Sequence, residues 1–191
     1  ITLDRKKLFK ILGKNFNSAG ERVWLKRRFK EYKIEDQDIG KLKIRMDIIP
    51  VSIALAQAAN ESGWGTSRFA LEGNALFGQW TWSKKGLSPK NKDPDSSHKI
   101  LQFQILKASV RAYKNNLNTH NAYQEFREER AKFRQKNEPI DGLSLVKYLK
   151  NYASIGEKYV RIIEDIIEKN SLTDFDQANL LATKLKKGVD L

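Results

Sequence analysis

Apolar residues along most of this chain recur at helical rather than strand spacing. Leu8, Ile11, Leu12 and Phe16 repeat as one face of a first helix. Ser18-x-x-Glu21 has the form of a capping box that opens a second helix, running to about Tyr32. Pro50 suits the first turn of a helix from about Pro50 to Ser62. Further helical stretches are predicted over roughly 66–72, 106–118, 121–136, 142–150, 156–169 and 174–187. Only 77–82 and 98–105 read as extended, through Phe77, Trp80 and Trp82 and then His98 to Ile105. Between them, Ser83 to Ser97 is a Lys/Ser/Pro/Asp loop without apolar periodicity. The pattern predicts a mainly α (α+β) fold, a helical body faced by a small two-stranded β-lobe across a cleft. Residues 1–191 are read as a single domain. It has a helical N-terminal region at 1–47, the β-lobe insertion at 77–105 and a C-terminal helical extension at 171–191. No internal repeat or low-complexity tract interrupts it.

Composition narrows the classes. A chain of 191 residues, 40% hydrophobic and with nineteen aromatics, can bury a real core and is not a disordered segment. The absence of cysteine excludes a disulfide framework, a thiol nucleophile and cysteine-ligated metal sites. The longest mostly apolar run, Ile48 to Ala59, is too short to span a bilayer. The chain opens at Ile1 rather than Met, so a trimmed or processed chain is expected, and the lack of a visible leader assigns no compartment.

Charge changes the picture more. The net formal charge of +13 predicts a polyanionic or anionic-surface partner. It is unevenly spread: residues 1–47 carry fourteen Lys and Arg against seven acids, whereas 51–81 hold one Arg and two Glu. A basic shell thus surrounds a nearly uncharged stretch rich in Ala, Gly, Asn and Trp, which marks that stretch as a candidate site.

Within it, Glu61 falls at the C-terminal end of the Pro50 helix, before Gly63, Trp64 and Gly65. The helix dipole disfavours a negative charge there, and a neighbouring Trp lowers its solvation. Two readings follow from the residues: a solvated helix-end carboxylate, or a general acid with a raised pKa. Downstream, Glu72-Gly-Asn74-Ala-Leu-Phe77-Gly78-Gln79-Trp80-Thr-Trp82 concentrates aromatic and amide side chains. Trp64, Trp80 and Trp82 are candidate platforms for sugar faces, with core packing the alternative for any one of them. Asn74 and Gln79 are candidate partners for hydroxyl and acetamido groups.

These residues carry a resemblance. Ala-Gln-Ala-Ala-Asn-Glu61-Ser-Gly-Trp-Gly-Thr-Ser-Arg-Phe-Ala, then Glu-Gly-Asn74-Ala-Leu-Phe-Gly-Gln-Trp80, resembles the Bax-type endo-β-N-acetylglucosaminidases of glycoside hydrolase family 73. Ala108 to Tyr123, with its Ser-Val-Arg-Ala-Tyr113 core, and Asn151-Tyr152-Ala-Ser-Ile-Gly-Glu-Lys-Tyr159-Val resemble later blocks of the same proteins. The matches run from about Arg45 to Asn170. The resemblance implies a lysozyme-like fold, a peptidoglycan glycan strand as substrate, and cleavage after N-acetylglucosamine at the β-1,4 bond to N-acetylmuramic acid. It implies Glu61 as the catalytic general acid and Tyr152 as a tyrosine beside the reacting sugar, its hydroxyl toward the acetamido group. Asn74, Phe77 and Gly78 match the stretch that shapes the cleft floor, with core packing the main role of Phe77.

Family members often use a second carboxylate on the β-lobe. Between Glu72 and Glu125 the only acids are Asp93 and Asp95, so a base from that lobe is one of these two. A solvated Asp93-Pro94-Asp95 turn is the competing reading, and assistance by the substrate's own N-acetyl group the competing mechanism. His98 and His120 are too few for a metal site, so neither metal nor cofactor is expected. A muramidase or lytic transglycosylase of the same fold, an inactive wall-binding protein and a basic nucleic-acid-binding module are the alternatives. The last leaves the uncharged Glu/Trp/Asn block unexplained, and no nucleic acid partner is expected. The chemistry predicts a monomer in the periplasm or cell envelope, with the basic shell toward an anionic wall or membrane surface.

Overall fold

A computed structural model describes residues 1–81, 86–87 and 99–178, with only the backbone of Trp80 and Thr81. Three helices form an N-terminal lobe: α1 (Thr2–Leu12), α2 (Ala19–Glu31) and α3 (Ile39–Arg45). The expected capping box is present at α2, where the Ser18 hydroxyl and the Glu21 side chain each take the other residue's backbone N–H. Phe16 departs from the expected first face. α1 ends at Leu12 with Gly13 as its cap, and Phe16 lies in the connecting loop, 87% exposed. α3 was not separately expected; seven residues are too short for periodicity, and its marker is Asp38, whose side chain accepts from the Lys41 N–H. Leu8, Phe29, Tyr32, Ile34, Leu42 and Met46 close this lobe's core.

The main body begins with α4 (Val51–Ser62) and α5 (Arg68–Gly73) and continues after the sheet with α6 (Leu106–Thr119). A 3-10 turn at Asn121–Tyr123 leads into α7 (Gln124–Gln135), so the helix expected from residue 121 starts as a tighter turn. Then come α8 (Gly142–Leu145) and α9 (Glu157–Lys169). The core gathers Ile53 and Ala56 of α4, Tyr113 and Leu117 of α6, Phe126 of α7, and Tyr159, Val160, Ile163 and Ile167 of α9. Pro50 opens α4 without a capping side chain of its own. One early N–H of α4 is served from the far end of the fold, as Asp176 accepts from the Ser52 N–H at 2.8 Å and from the Ser52 hydroxyl at 2.7 Å.

Where a helix over 142–150 was expected, α8 tightens after one turn into a 3-10 stretch, Val146–Tyr152. With three residues per turn, Val146, Leu149 and Tyr152 line up on one side. Val146 and Leu149 anchor that side in the core, and Tyr152 follows them at its end. Of the C-terminal helical extension, a short 3-10 turn at Leu172–Phe175 is seen; residues 179–191 lie outside the described residues.

The fold class is the one expected, mainly α and lysozyme-like with a small antiparallel sheet. Among the described residues the sheet has three strands rather than two: β1 (Trp80–Thr81), β2 (Gly86–Leu87) and β3 (Lys99–Leu101), in the order β1-β3-β2. Trp80 pairs with Ile100 and Gly86 with Leu101. β2 falls inside the stretch read as a polar loop; its two residues show no alternation and become a strand because β3 offers them its second edge. Of the stretches expected to be extended, 77–79 and 102–105 fall outside the strands. Gly78 turns the chain with φ +57°, and Phe103 leaves the sheet to bond the Gly73 carbonyl at 2.8 Å.

Lobe and body meet at a buried cluster of charges. Arg130, fully buried, donates to the Ile44 and Ile48 carbonyls and the Asn118 side chain at 2.7–2.8 Å. Asp47, 2% exposed, takes two 3.0 Å bonds from Arg134 and lies 3.4 Å from Arg5 of α1. Burial acts to raise the Asp47 carboxyl, but the Arg134 bonds and the charges of Arg130, Arg5 and Arg134 outweigh it and hold it below its ordinary range.

Candidate active site

The turn after α4 fixes where Glu61 points. Gly63 caps the helix in the left-handed region, and Trp64 and Gly65 follow at φ +57° and +79°. The Ser62 hydroxyl ties this turn together, donating to the Ala58 carbonyl and accepting from the Gly65 N–H at 2.8 Å. Three successive left-handed residues reverse the chain within one turn, and Glu61 is left facing a cleft of about 770 Å³. The cleft is lined by Glu61, Phe77, Gly78 and Gln79 and by Lys150, Tyr152 and their neighbours.

Glu61 is half-buried, and burial pushes its carboxyl above the ordinary value, against the Asn60 and Tyr159 side chains, which favour the ionised form. The Asn60 amide donates to Oε1 at 3.1 Å. Below the carboxyl runs a buried polar chain. The Tyr113 hydroxyl donates to Gln57 Oε1 at 2.7 Å, and Gln57 Nε2 donates to the Tyr159 hydroxyl at 2.8 Å. Tyr159 accepts there, so its own proton is available to Glu61. Gln57 stands one helical turn before Glu61, which is why a buried amide on an otherwise apolar face serves the carboxyl.

An aromatic floor completes the site. Phe77 stacks on Tyr113 with centroids 3.9 Å apart, and Tyr152 stacks on Tyr159 at 5.4 Å. The Tyr152 hydroxyl donates to the Phe77 carbonyl at 2.9 Å, joining the 146–152 segment to the strand side of the cleft. Tyr123 also borders the cleft, and burial first, with help from the Glu61 charge, pushes its hydroxyl up to about 12.

Of the residues singled out in the sequence, Glu61, Phe77, Gly78, Gln79 and Tyr152 come together at this cleft. Trp64 does not line it: it is 64% exposed on the turn beyond α4. Asn74 does not line it either. It ends α5 at φ +49° and donates to the Phe103 carbonyl at 3.0 Å, so it shapes the cleft by fastening two chain segments. Trp80 is placed by its backbone in β1, while Trp82, Asp93, Asp95 and His98 lie outside the described residues. His120 has a structural bond, its Nδ1 accepting from the Ala122 N–H at 3.2 Å. Sequence reasoning gave no role to Gln57, Tyr113, Tyr123 or Tyr159. Gln57 had a legible signal, a polar residue four positions before the acid; the tyrosines converge from three elements that spacing alone does not relate.

The family model described as glucosaminidase, mannosyl-glycoprotein endo-beta-N-acetylglucosaminidase, matches residues 37–172. The protein bax of Escherichia coli strain K12 is 37% identical over 148 residues, covering 74% of this chain and 53% of that protein. The chain therefore spans about half the length of this curated relative. No solved structure matches.

Proposed function

The chain belongs to the glucosaminidase family, and we propose that it hydrolyses peptidoglycan glycan strands at the β-1,4 bond between N-acetylglucosamine and N-acetylmuramic acid, with Glu61 as general acid. The observation that carries this reading is a half-buried carboxyl, its pKa raised by burial, on the wall of a cleft of about 770 Å³. A carboxyl whose pKa burial raises keeps its proton to higher pH than an ordinary glutamate, ready for the glycosidic oxygen as the anomeric carbon gains oxocarbenium character. Once the proton is given up, Tyr159 and Asn60 stabilise the carboxylate that remains.

Gln79 supports an acetamido-bearing sugar. Its Oε1 is buried in the cleft wall without a hydrogen-bond partner among the described residues, and an acetamido N–H is a donor of matching kind. Tyr152, donating to Phe77, keeps its lone pairs for a donor from the sugar. Water attack at the anomeric carbon then takes one of two routes. In the first, Asp93 or Asp95, both outside the described residues, serves as base and the anomeric configuration inverts. Otherwise the N-acetyl oxygen attacks first, and no second acid is needed.

Replacing Glu61 with Gln tests the reading. It removes the transferable proton while keeping size, and muropeptide release should fall by about 10² to 10⁴ in a protein whose far-UV circular dichroism is unchanged. Borohydride labelling of the products reads the bond: a new reducing N-acetylglucosamine end is expected. A reducing N-acetylmuramic acid end or a 1,6-anhydro sugar would instead assign a muramidase or lytic transglycosylase. Activity of the Asp93→Asn and Asp95→Asn proteins separates the two routes, since substrate assistance survives both changes.

A further inference from the structure

We propose that the outer face of the N-terminal helical hairpin, α1 with α2, docks on a bilayer containing anionic phospholipid. Residues 1–33 carry eleven Lys and Arg against three acids, and each acid already has an ion-pair partner within the lobe. Asp4 and Glu31 pair with Arg28 at 3.5 and 2.9 Å, and Glu21 pairs with Lys14 at 2.5 Å. The Asp4 and Glu21 pairs, with Lys7 Nζ 5.1 Å from the Trp24 ring, also fix α1 and α2 as antiparallel neighbours, so their outer faces adjoin.

Those faces repeat one design. On α1, Leu3 is followed by Lys6, Lys7 and Lys10 at i+3, i+4 and i+7. On α2, Val23 is followed by Lys26, Arg27 and Lys30 at the same intervals. Helical geometry puts each set on one exposed stripe, with Lys7 at the edge that turns to Trp24 of α2, while Leu8, Ile11 and Phe29 are buried. Among the described residues Lys6, Lys10, Lys26, Arg27 and Lys30 have no ion pair, so these charges are available to a partner.

The apolar side chains choose the partner. Leu3 is 80% exposed, Val23 51%, and Phe16, in the loop that joins the two helices, 87%. A phosphate backbone of nucleic acid rewards the lysines but gives Leu3 and Phe16 nothing to enter. A lipid interface rewards both, its headgroups matching the cations and its acyl boundary taking the apolar tips. Each basic residue near an anionic surface is worth about fivefold in binding (about 1 kcal/mol), so the stripe as a whole is sufficient for peripheral attachment.

The full chain sedimented with vesicles of phosphatidylcholine, with or without one-third phosphatidylglycerol, tests this. Binding at low salt should be at least about hundredfold tighter to the anionic vesicles and should be lost at high salt. The combined change Lys6→Gln, Lys10→Gln, Lys26→Gln and Lys30→Gln should lower it by about hundredfold or more. Phe16→Ser alone should lower it severalfold. Should the combined variant fail to fold, Lys10→Glu and Lys26→Glu made singly carry the same expectation at about tenfold or more each. Equal binding to neutral and anionic vesicles, or unchanged binding by the lysine variants, overturns the proposal. So does tighter binding to a short DNA duplex that needs the lysines but is indifferent to Phe16.

Discussion

A β-carbon at Gly78 would lie 2.7 Å from Glu61 Oε2, and the backbone at Gly78 has φ +57°. Residue 78 is thus closed to side chains twice over, by conformation and by the carboxyl it backs. The glycine lets main chain serve as the wall against which the acid is held. Gly78→Ala should displace the carboxyl by a fraction of an ångström or more and lower turnover by about 10²-fold. The left-handed alanine should cost only about 1–2 kcal/mol. Turnover on purified peptidoglycan, compared with the urea midpoint, separates the effects; full activity in this variant would show that Glu61 is not positioned by this contact.

Burial of Glu61 has a pH signature with a definite sign. The unfolded chain releases this proton near the ordinary glutamate value, about 4.3, while the folded protein holds it to higher pH. Across that window the folded state binds more protons, so stability falls as pH rises through it. Glu61→Gln removes that decline and should be more stable than the parent above the folded pKa, with the difference vanishing in acid. The alkaline limb of kcat/KM should likewise sit above the ordinary glutamate range, because the acid form is the active one. A limb within the ordinary range would take the proton donor's role away from Glu61.

Tyr152→Phe keeps the stack on Tyr159 and removes one hydrogen bond to the Phe77 carbonyl. A single such bond contributes about 1 kcal/mol to stability. The larger expected effect is on turnover, roughly tenfold, because Phe77 precedes Gly78 and its carbonyl helps fix the wall behind Glu61. Equal losses in stability and turnover, on a free-energy scale, would reduce Tyr152 to a packing role.

Asp47→Asn leaves the fully buried Arg130 and its neighbours Arg5 and Arg134 without their carboxylate. Breaking a buried pair on one side costs about 3–5 kcal/mol, and chemical denaturation should show it. In the parent, the stabilisation is present above the ordinary aspartate value, about 3.9. It disappears as pH falls through the lower folded value. The variant should lack that part of the acid transition.

Much of the helical body was legible because its signals are local: the Ser18 capping box, Pro50 at the head of α4, and the apolar stripe of α9. Glu61 was legible from its place at a helix end beside glycines, reinforced by the surrounding motif. What spacing does not reveal is convergence. Tyr123 and Tyr159 come from separate elements and meet Glu61, and Tyr113 meets Gln57 beneath it, only after the core has closed. Tyr152 reaches the cleft because a 3-10 register replaces an α-helical one, a change of pitch that a pattern of apolar residues does not distinguish. Asn74 looked like a sugar ligand because amides suit both jobs; its left-handed backbone and the Phe103 carbonyl decide for the structural one.

The charge cluster under α7 also bears on where this protein can be cut. The family match begins at residue 37, inside the connection that leads into α3. A chain trimmed to start there would lose Leu8, Phe29, Tyr32 and Ile34, baring Leu42 and Met46, and would withdraw Arg5 from Asp47. The expectation is therefore that the first 36 residues and the body that follows melt in one transition rather than two, which calorimetry of the full chain checks.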